Sequence, residues 1–240
     1  MKIERVILDT KLVSGLMNES LFEALNTEIK WHQVTHKGGQ VPRLMAIQST
    51  QEEGFRPIYR HPMDTEPSPT DWTLTVSKIK HKIENEFGLS LNHCLCQLYR
   101  DGSDRIGQHS DKTLDITPGS LVCNYSAGST RKMRFTNKLK NNTNVFVDLE
   151  DDSVLLMGLE TNQKYMHEIK TQVNAAPRIS LTFRSISTFY DGQTIKGQGA
   201  SSTKRDDLNE LLKVFSNENK NPDFEWNEYK GGFNHIVKQE

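Results

Sequence analysis

Cysteine is scarce. The 240-residue chain has three, Cys94, Cys96 and Cys123, an odd number at spacings that match neither a disulfide framework nor a zinc ribbon. They read as reduced packing residues of an intracellular protein, cytoplasmic or nuclear. Long apolar runs are missing as well. Hydrophobic residues make up 35% of the chain and the mean hydropathy is -0.65, and no run approaches the roughly 20 residues of a membrane-spanning helix. A membrane span is therefore not expected. A signal peptide is not expected either, because Met1–Lys11 places charges where an apolar stretch belongs. Neither sign of charge is in surplus: 30 Lys+Arg against 31 Asp+Glu give a formal net charge of -1. No whole-molecule field pulls in nucleic acid or anionic lipid, so any such attraction is confined to a local basic groove.

What is present is enough chain, 27.5 kDa, for one large domain or two small ones. Leu21, Phe22, Leu25 and Ile29 recur at helical spacing and predict one amphipathic helix over Asn18–Trp31. Lys37-Gly38-Gly39 is a turn that leads into a strand over Val41–Gln48. Ile79, Ile83 and Phe87 predict a second helix from Pro67 to Gly88, capped by Thr70 or Asp71 and stopped by Gly88.

After Gly88 the pattern shortens to strand length: Leu91–Tyr99, Leu121–Ser126, Arg131–Thr136, Asn144–Leu149, Ser153–Met157, Tyr165–Ile169 and Arg178–Phe189, separated by turn pairs such as Asp101-Gly102 and Pro118-Gly119. This is a mixed α+β chain with a mainly β core, a sandwich or jelly roll rather than a parallel sheet. Near the C terminus Leu208, Leu211, Leu212 and Phe215 predict a helix docked on the core. The aromatic residues Phe224, Trp226, Tyr229 and Phe233 are expected to pack.

Two of the strands have chemically distinct faces. A period of two puts Cys94, Cys96 and Leu98 on one side and Leu95, Gln97 and Tyr99 on the other. In Arg178-Ile-Ser-Leu-Thr-Phe-Arg184 the side chains of Ile179, Leu181 and Phe183 oppose those of Arg178, Ser180, Thr182 and Arg184. The two arginine Cα atoms lie roughly 20 Å apart along a strand, and inward-leaning side chains bring the guanidinium groups much closer, a spacing that suits a short dicarboxylate. A solvent-facing strand that binds nothing has the same pattern.

Between these strands stands Gln108-His109-Ser110-Asp111, and His167 follows 56 positions after Asp111 (167 − 111). Two imidazoles and one carboxylate on one face of a metal make the facial triad of non-haem Fe(II) oxygenases. A His-x-Asp pair arises readily by chance. The joint arrangement is more specific, with His167 on a later strand and Arg178 only 11 residues beyond it (178 − 167).

From about Val41 to Ser187 the chain resembles the AlkB-type Fe(II)/2-oxoglutarate dioxygenases. The resemblance lies in Val41-Pro-Arg43, Tyr99-Arg-Asp-Gly102, His109-Ser-Asp111, His167 and Pro177-Arg-Ile-Ser-Leu-Thr-Phe-Arg184, the double-arginine ending being the most specific part. It implies a double-stranded β-helix (jelly roll) with flanking N- and C-terminal helices. Residues 1–190 would form the dioxygenase domain, with helices and substrate-side strands in 1–88 and the core in 89–190, and 191–240 an extension packed on it. It also implies that His109, Asp111 and His167 bind Fe(II), and that Arg178, aided by Tyr99, binds the distal carboxylate of 2-oxoglutarate. Arg184 would lie near the carboxylate that chelates the metal, with Gln97 and Ser180 as secondary contacts. Arg43 and Tyr59 are the implied substrate contacts, together with Thr113.

The chain departs from the family pattern at named places. Base-repair members carry an acidic residue where Thr113 stands, an aromatic wedge on the hairpin that here reads His36-Lys-Gly-Gly-Gln40, and an asparagine in place of Gln97. The extension after Tyr190 is a further difference. Three functional readings follow: dioxygen- and 2-oxoglutarate-dependent dealkylation of N-alkylated bases in single-stranded DNA or RNA, the same chemistry on a small molecule or protein side chain, and a jelly-roll binding module without catalysis.

Overall fold

The computed structural model describes residues 1–139, 144–200, 208–226 and 238–239. Strands β1 (Lys2–Ile7) and β2 (Thr10–Ser14) form a hairpin ahead of helix α1 (Phe22–Glu28). A second hairpin, β3 (His32–His36) and β4 (Gly39–Ser49), turns at Lys37 and Gly38. Short strands β5 (Arg56–Pro57) and β6 (Thr65–Glu66) precede α2 (Leu74–Phe87). The middle of the chain carries β7 (His93–Tyr99), β8 (Ile106–His109), β9 (Leu121–Gly128), β10 (Arg131–Asn137), β11 (Asn144–Leu149) and β12 (Ser153–Gly158). Helix α3 (Leu159–Lys164), β13 (Tyr165–Ile169) and β14 (Arg178–Arg184) follow. The last elements are β15 (Thr188–Tyr190), β16 (Ile195–Gly197), α4 (Leu208–Lys220) and β17 (Lys238–Gln239).

Two antiparallel sheets face each other. The larger has the order β1-β2-β12-β9-β14-β7-β4-β3 and the smaller β11-β10-β13-β8, the arrangement of a double-stranded β-helix. The alternation of β7 and β14 explains their central place. Cys94, Cys96, Ile179, Leu181 and Phe183 face outward and are covered by Leu25 of α1 and by Val76, Ile79 and Ile83 of α2. Each of the buried valine, leucine, isoleucine and phenylalanine side chains contributes about 1.5–3 kcal/mol. Between the sheets, Tyr99, Val122, Met133, Phe135, Leu155 and Ile169 form a second core. The three cysteines are free and buried. Among the described residues no helix is long and apolar enough to cross a membrane.

Both predicted N-terminal helices are shorter than expected, for visible reasons. The backbone N–H groups of Met17 and Asn18 donate to the Asp152 carboxylate, each at 2.8 Å, and hold this segment outside α1. At α2, Asp71 pairs with Arg56 at 2.7 Å instead of capping, and Thr73 occupies the cap position. The amide of Thr75 is satisfied from outside the helix, by Glu28 at 2.8 Å. Gly88 ends the helix in the left-handed conformation, φ 65°. The predicted strand Arg178–Phe189 is two strands, β14 and β15. Phe224 and Trp226 pack with α4, while Tyr229 and Phe233 lie outside the described residues.

Candidate active site

β8 and β13 are neighbours in the smaller sheet, and their register pairs His109 directly with His167. The two imidazoles therefore lie side by side, ring centroids 4.3 Å apart. Asp111 follows β8 by two residues, and Asn162 of α3 fixes its backbone: the Asp111 N–H donates to Oδ1 at 2.8 Å, and Nδ2 donates to the Asp111 carbonyl at 2.9 Å. Asp111 Oδ1 then stands 3.7 Å from His109 Nε2 and 3.8 Å from His167 Nε2.

One donor atom from each of the three residues lies within 4.8 Å of the others. Ligands on one face of an ion, with bonds of about 2.1 Å at right angles, lie about 3.0 Å apart, so Asp111 Oδ1 has to draw in by about 0.7–0.8 Å from its 3.7 and 3.8 Å distances to the two imidazoles. His109 Nδ1 lies 2.8 Å from the Gly107 carbonyl. A carbonyl only accepts, so the proton sits on Nδ1 and the Nε2 lone pair is left for a metal.

The protonation states suit the same purpose. Burial, reinforced by His167, pushes the His109 imidazole down to about 3. Burial lowers His167 as well, against the pull of Asp111. For Asp111 burial favours the neutral form, but the Arg184 guanidinium and then the two imidazoles outweigh it and hold the carboxyl well below its ordinary range. Two neutral imidazoles and one carboxylate form a donor set that needs no proton removed before it takes a divalent ion.

Both arginines of β14 are buried, in different situations. Arg184 gives Nη2 and Nε to Asp111 Oδ2, at 2.7 and 3.2 Å, and lies 4.0 Å above the Tyr59 ring. Arg178, 0% exposed, sits 5.3 Å over the Tyr99 ring. Its Nη2 donates to Ser126 Oγ at 2.8 Å and to Asn124 Oδ1 at 3.3 Å. Its Nε and Nη1 have no hydrogen-bond partner among the described residues. Burial pushes Arg178 down to about 10. A buried guanidinium short of acceptors is costly, and a carboxylate is the group that would complete it.

Between the sheets lies a cavity of about 1000 Å³ whose walls include the triad, Arg184, Gln97, Tyr99 and Ser180. Arg43 and Tyr59 also line it. The Arg43 Nη1 donates to the Arg105 carbonyl at 3.0 Å, and the Tyr59 hydroxyl accepts the Lys112 N–H at 2.9 Å. Two predicted residues are not on the cavity wall: Arg178, which lies against the lining residues Tyr99 and Asn124, and Thr113. Its N–H and hydroxyl both donate to Glu218 Oε1, at 2.8 and 2.6 Å, and Trp226 Nε1 donates to its hydroxyl. The sequence reading missed Asn162, Asn124 and the α4 residues of the cavity. For Asn162 and Asn124 no local pattern marks them. For α4 the apolar spacing was visible, but it suggested docking and not a cavity wall.

A jelly roll holding a two-histidine, one-carboxylate centre defines a metal-dependent oxygenase, and the binding-module reading gives way to that complete donor set. The family model described as the 2OG-Fe(II) oxygenase superfamily matches residues 8–184; the chain belongs to this family, in its AlkB-like branch. Alpha-ketoglutarate-dependent dioxygenase alkB homolog 3 of Bos taurus is 29% identical over 197 residues, which cover 77% of this chain and 67% of that protein. DNA oxidative demethylase ALKBH2 of Homo sapiens is 31% identical over 127 residues, 50% of this chain and 49% of that protein. The chain thus spans about two thirds of the first relative and half of the second. The solved structure of OsALKBH1 shares the fold, with a TM-score of 0.56 at 20% identity over 76% of this chain and 100% of that one.

Proposed function

We propose that this chain uses Fe(II), 2-oxoglutarate and dioxygen to dealkylate N-alkylated bases in single-stranded DNA or RNA. The observation that carries the cosubstrate is Arg178, fully buried against Tyr99 and Asn124, which line the cavity although Arg178 itself does not, with an Nε and an Nη1 that have no hydrogen-bond partner among the described residues. Bound Fe(II), with 2-oxoglutarate and dioxygen, supplies the oxidant for a substrate C–H bond.

The chain's own residues do the rest. His109, Asp111 and His167 hold the metal. Arg178 takes the distal carboxylate, with Tyr99 beneath it, while Gln97 and Ser180 bound the same pocket. Arg184 fixes Asp111 and would stand near the carboxylate that joins the keto oxygen in binding the metal. Hydroxylation of an N-methyl carbon gives a hemiaminal that separates into formaldehyde and the free base.

Support for a nucleic-acid substrate comes from the cavity rim. Lys37, Arg43 and Arg105 line the cavity, with Asp64 as the acidic residue among them outside the metal triad, a local excess of cationic side chains on a chain of net charge -1. The DNA oxidative demethylase activity for which the ALKBH2 relatives are named points the same way. The hairpin turn at Lys37-Gly38 presents no aromatic wedge, which favours single strands over duplex. Residues 1–190 form the catalytic unit in this reading, 191–240 an extension of it, and the reduced cysteines fit a cytoplasmic or nuclear site of action.

The test is succinate and formaldehyde release from methylated oligonucleotides, methylated nucleosides and a metabolite pool. Equimolar succinate and formaldehyde from the oligonucleotides supports the proposal. Coupled turnover confined to the nucleosides or the metabolite pool replaces the substrate class and keeps the chemistry.

A further inference from the structure

Helix α4 has two working faces. Leu211, Val214 and Phe215 pack with Leu114, Phe224 and Trp226 in a small core of their own. Leu208, Leu212, Phe215 and Asn219 line the cavity that contains the triad. Leu208 and Leu212, 38% and 36% exposed, are among these lining residues. The helix is therefore a wall of the active site as well as a packed element.

It is also bonded to the segment that carries Asp111. Asn219 Oδ1 accepts from the Ser110 N–H at 2.8 Å, the Ser110 hydroxyl at 3.1 Å and Lys112 Nζ at 2.6 Å, the residues on either side of the metal ligand. A backbone N–H and an ammonium group only donate, so the atom that meets them has to be the amide oxygen. The orientation of the side chain is thereby forced, and its NH₂ group points away from the loop. That NH₂ donates to no group among the described residues, on a side chain that lines the cavity.

We propose that Asn219 is a specificity-determining and positioning residue: its oxygen holds the Ser110–Lys112 segment in place, and its NH₂ donates to an acceptor oxygen of the substrate. The acceptor is either a ring carbonyl of the alkylated base or a phosphate oxygen. This rests on the base-dealkylation reading above.

Asn219→Asp keeps an acceptor for Ser110 and Lys112 and removes the donor; Asn219→Ala removes both. Mn(II) titration reads the hold on the ligand loop, with melting temperatures to confirm folding. Asp should leave metal affinity within about threefold of wild type, and Ala should lower it about tenfold or more. Substrate binding is read under nitrogen, with Mn(II) and 2-oxoglutarate present. The probes are labelled single strands carrying either N3-methylcytosine, which has a ring carbonyl, or N1-methyladenine, which has none. Both variants should bind about tenfold more weakly. Loss confined to N3-methylcytosine identifies the base carbonyl, and equal loss on both strands identifies phosphate.

Wild-type affinity of Asn219→Asp for both strands overturns the substrate role, and wild-type metal affinity of Asn219→Ala overturns the positioning role. Wild-type protein that binds neither strand overturns the base-dealkylation reading and the substrate role with it, while the metal titration still decides the other half.

Discussion

Arg184 and Asp111 meet through one carboxylate oxygen. Two nitrogens of the guanidinium converge on Oδ2, so Oδ1 is turned toward His109 Nε2 and His167 Nε2. The arginine both aims the metal-facing oxygen and keeps the carboxyl ionised. Arg184→Met should therefore lower Mn(II) affinity about 10- to 100-fold, as the loss of an outer-shell orienting group does at other metal sites. Arg184→Lys should recover only part, since a single ammonium does not reproduce the fork. An Arg184→Met variant that binds Mn(II) as wild type does would remove this role.

Arg178 makes a separable prediction. If its two unpartnered nitrogens await a carboxylate, Arg178→Met raises the KM for 2-oxoglutarate by about 10- to 100-fold and leaves kcat within a few-fold. The same change removes a buried, half-paired cation, so the melting temperature should not fall by more than about 3 °C. An unchanged KM contradicts the assignment. A large drop in melting temperature would show instead that the arginine serves the fold.

Much of this was legible in the sequence where polarity and geometry share a period. On β7 and β14 one face meets α1 and α2 and the other meets the cavity, so alternation along the chain marks both. Gly88 marked a helix end because the left-handed conformation there suits glycine. Elements stabilised by distant partners were not legible. The β1–β2 hairpin is held by the pairing of β2 with β12, and Lys2, Glu4 and Arg5 give its outer strand a polar surface. Thr113 has the right offset from Asp111 to reach a substrate. Nothing near it announces that Glu218, 105 residues further on (218 − 113), occupies its N–H and hydroxyl. The leucines of α4 show the same limit, because hydrophobicity marks a cavity wall and a core alike.

Lys138 supplies a pH dependence. Burial, and then the nearby Lys112, pushes its ammonium down to about 8, whereas the unfolded chain titrates near its ordinary value of about 10.4. Below pH 8 both states carry the proton, and between these values only the unfolded state does. Unfolding then takes up a proton, and stability rises with pH across the window. Denaturant titrations at pH 7 and 9.5 should show wild type gaining on Lys138→Met as pH rises. A difference that stays constant between the two pH values contradicts the shift.

The central claim is that His109, Asp111 and His167 close on one ferrous ion beside an arginine-lined 2-oxoglutarate pocket. Anaerobic addition of Fe(II) and then 2-oxoglutarate measures this directly through the weak visible charge-transfer absorption of the chelate. The expected result is a band that saturates at one Fe(II) per chain and is missing in Asp111→Ala and His167→Ala. A folded wild-type protein without that band, or triad variants that retain it, would contradict the account.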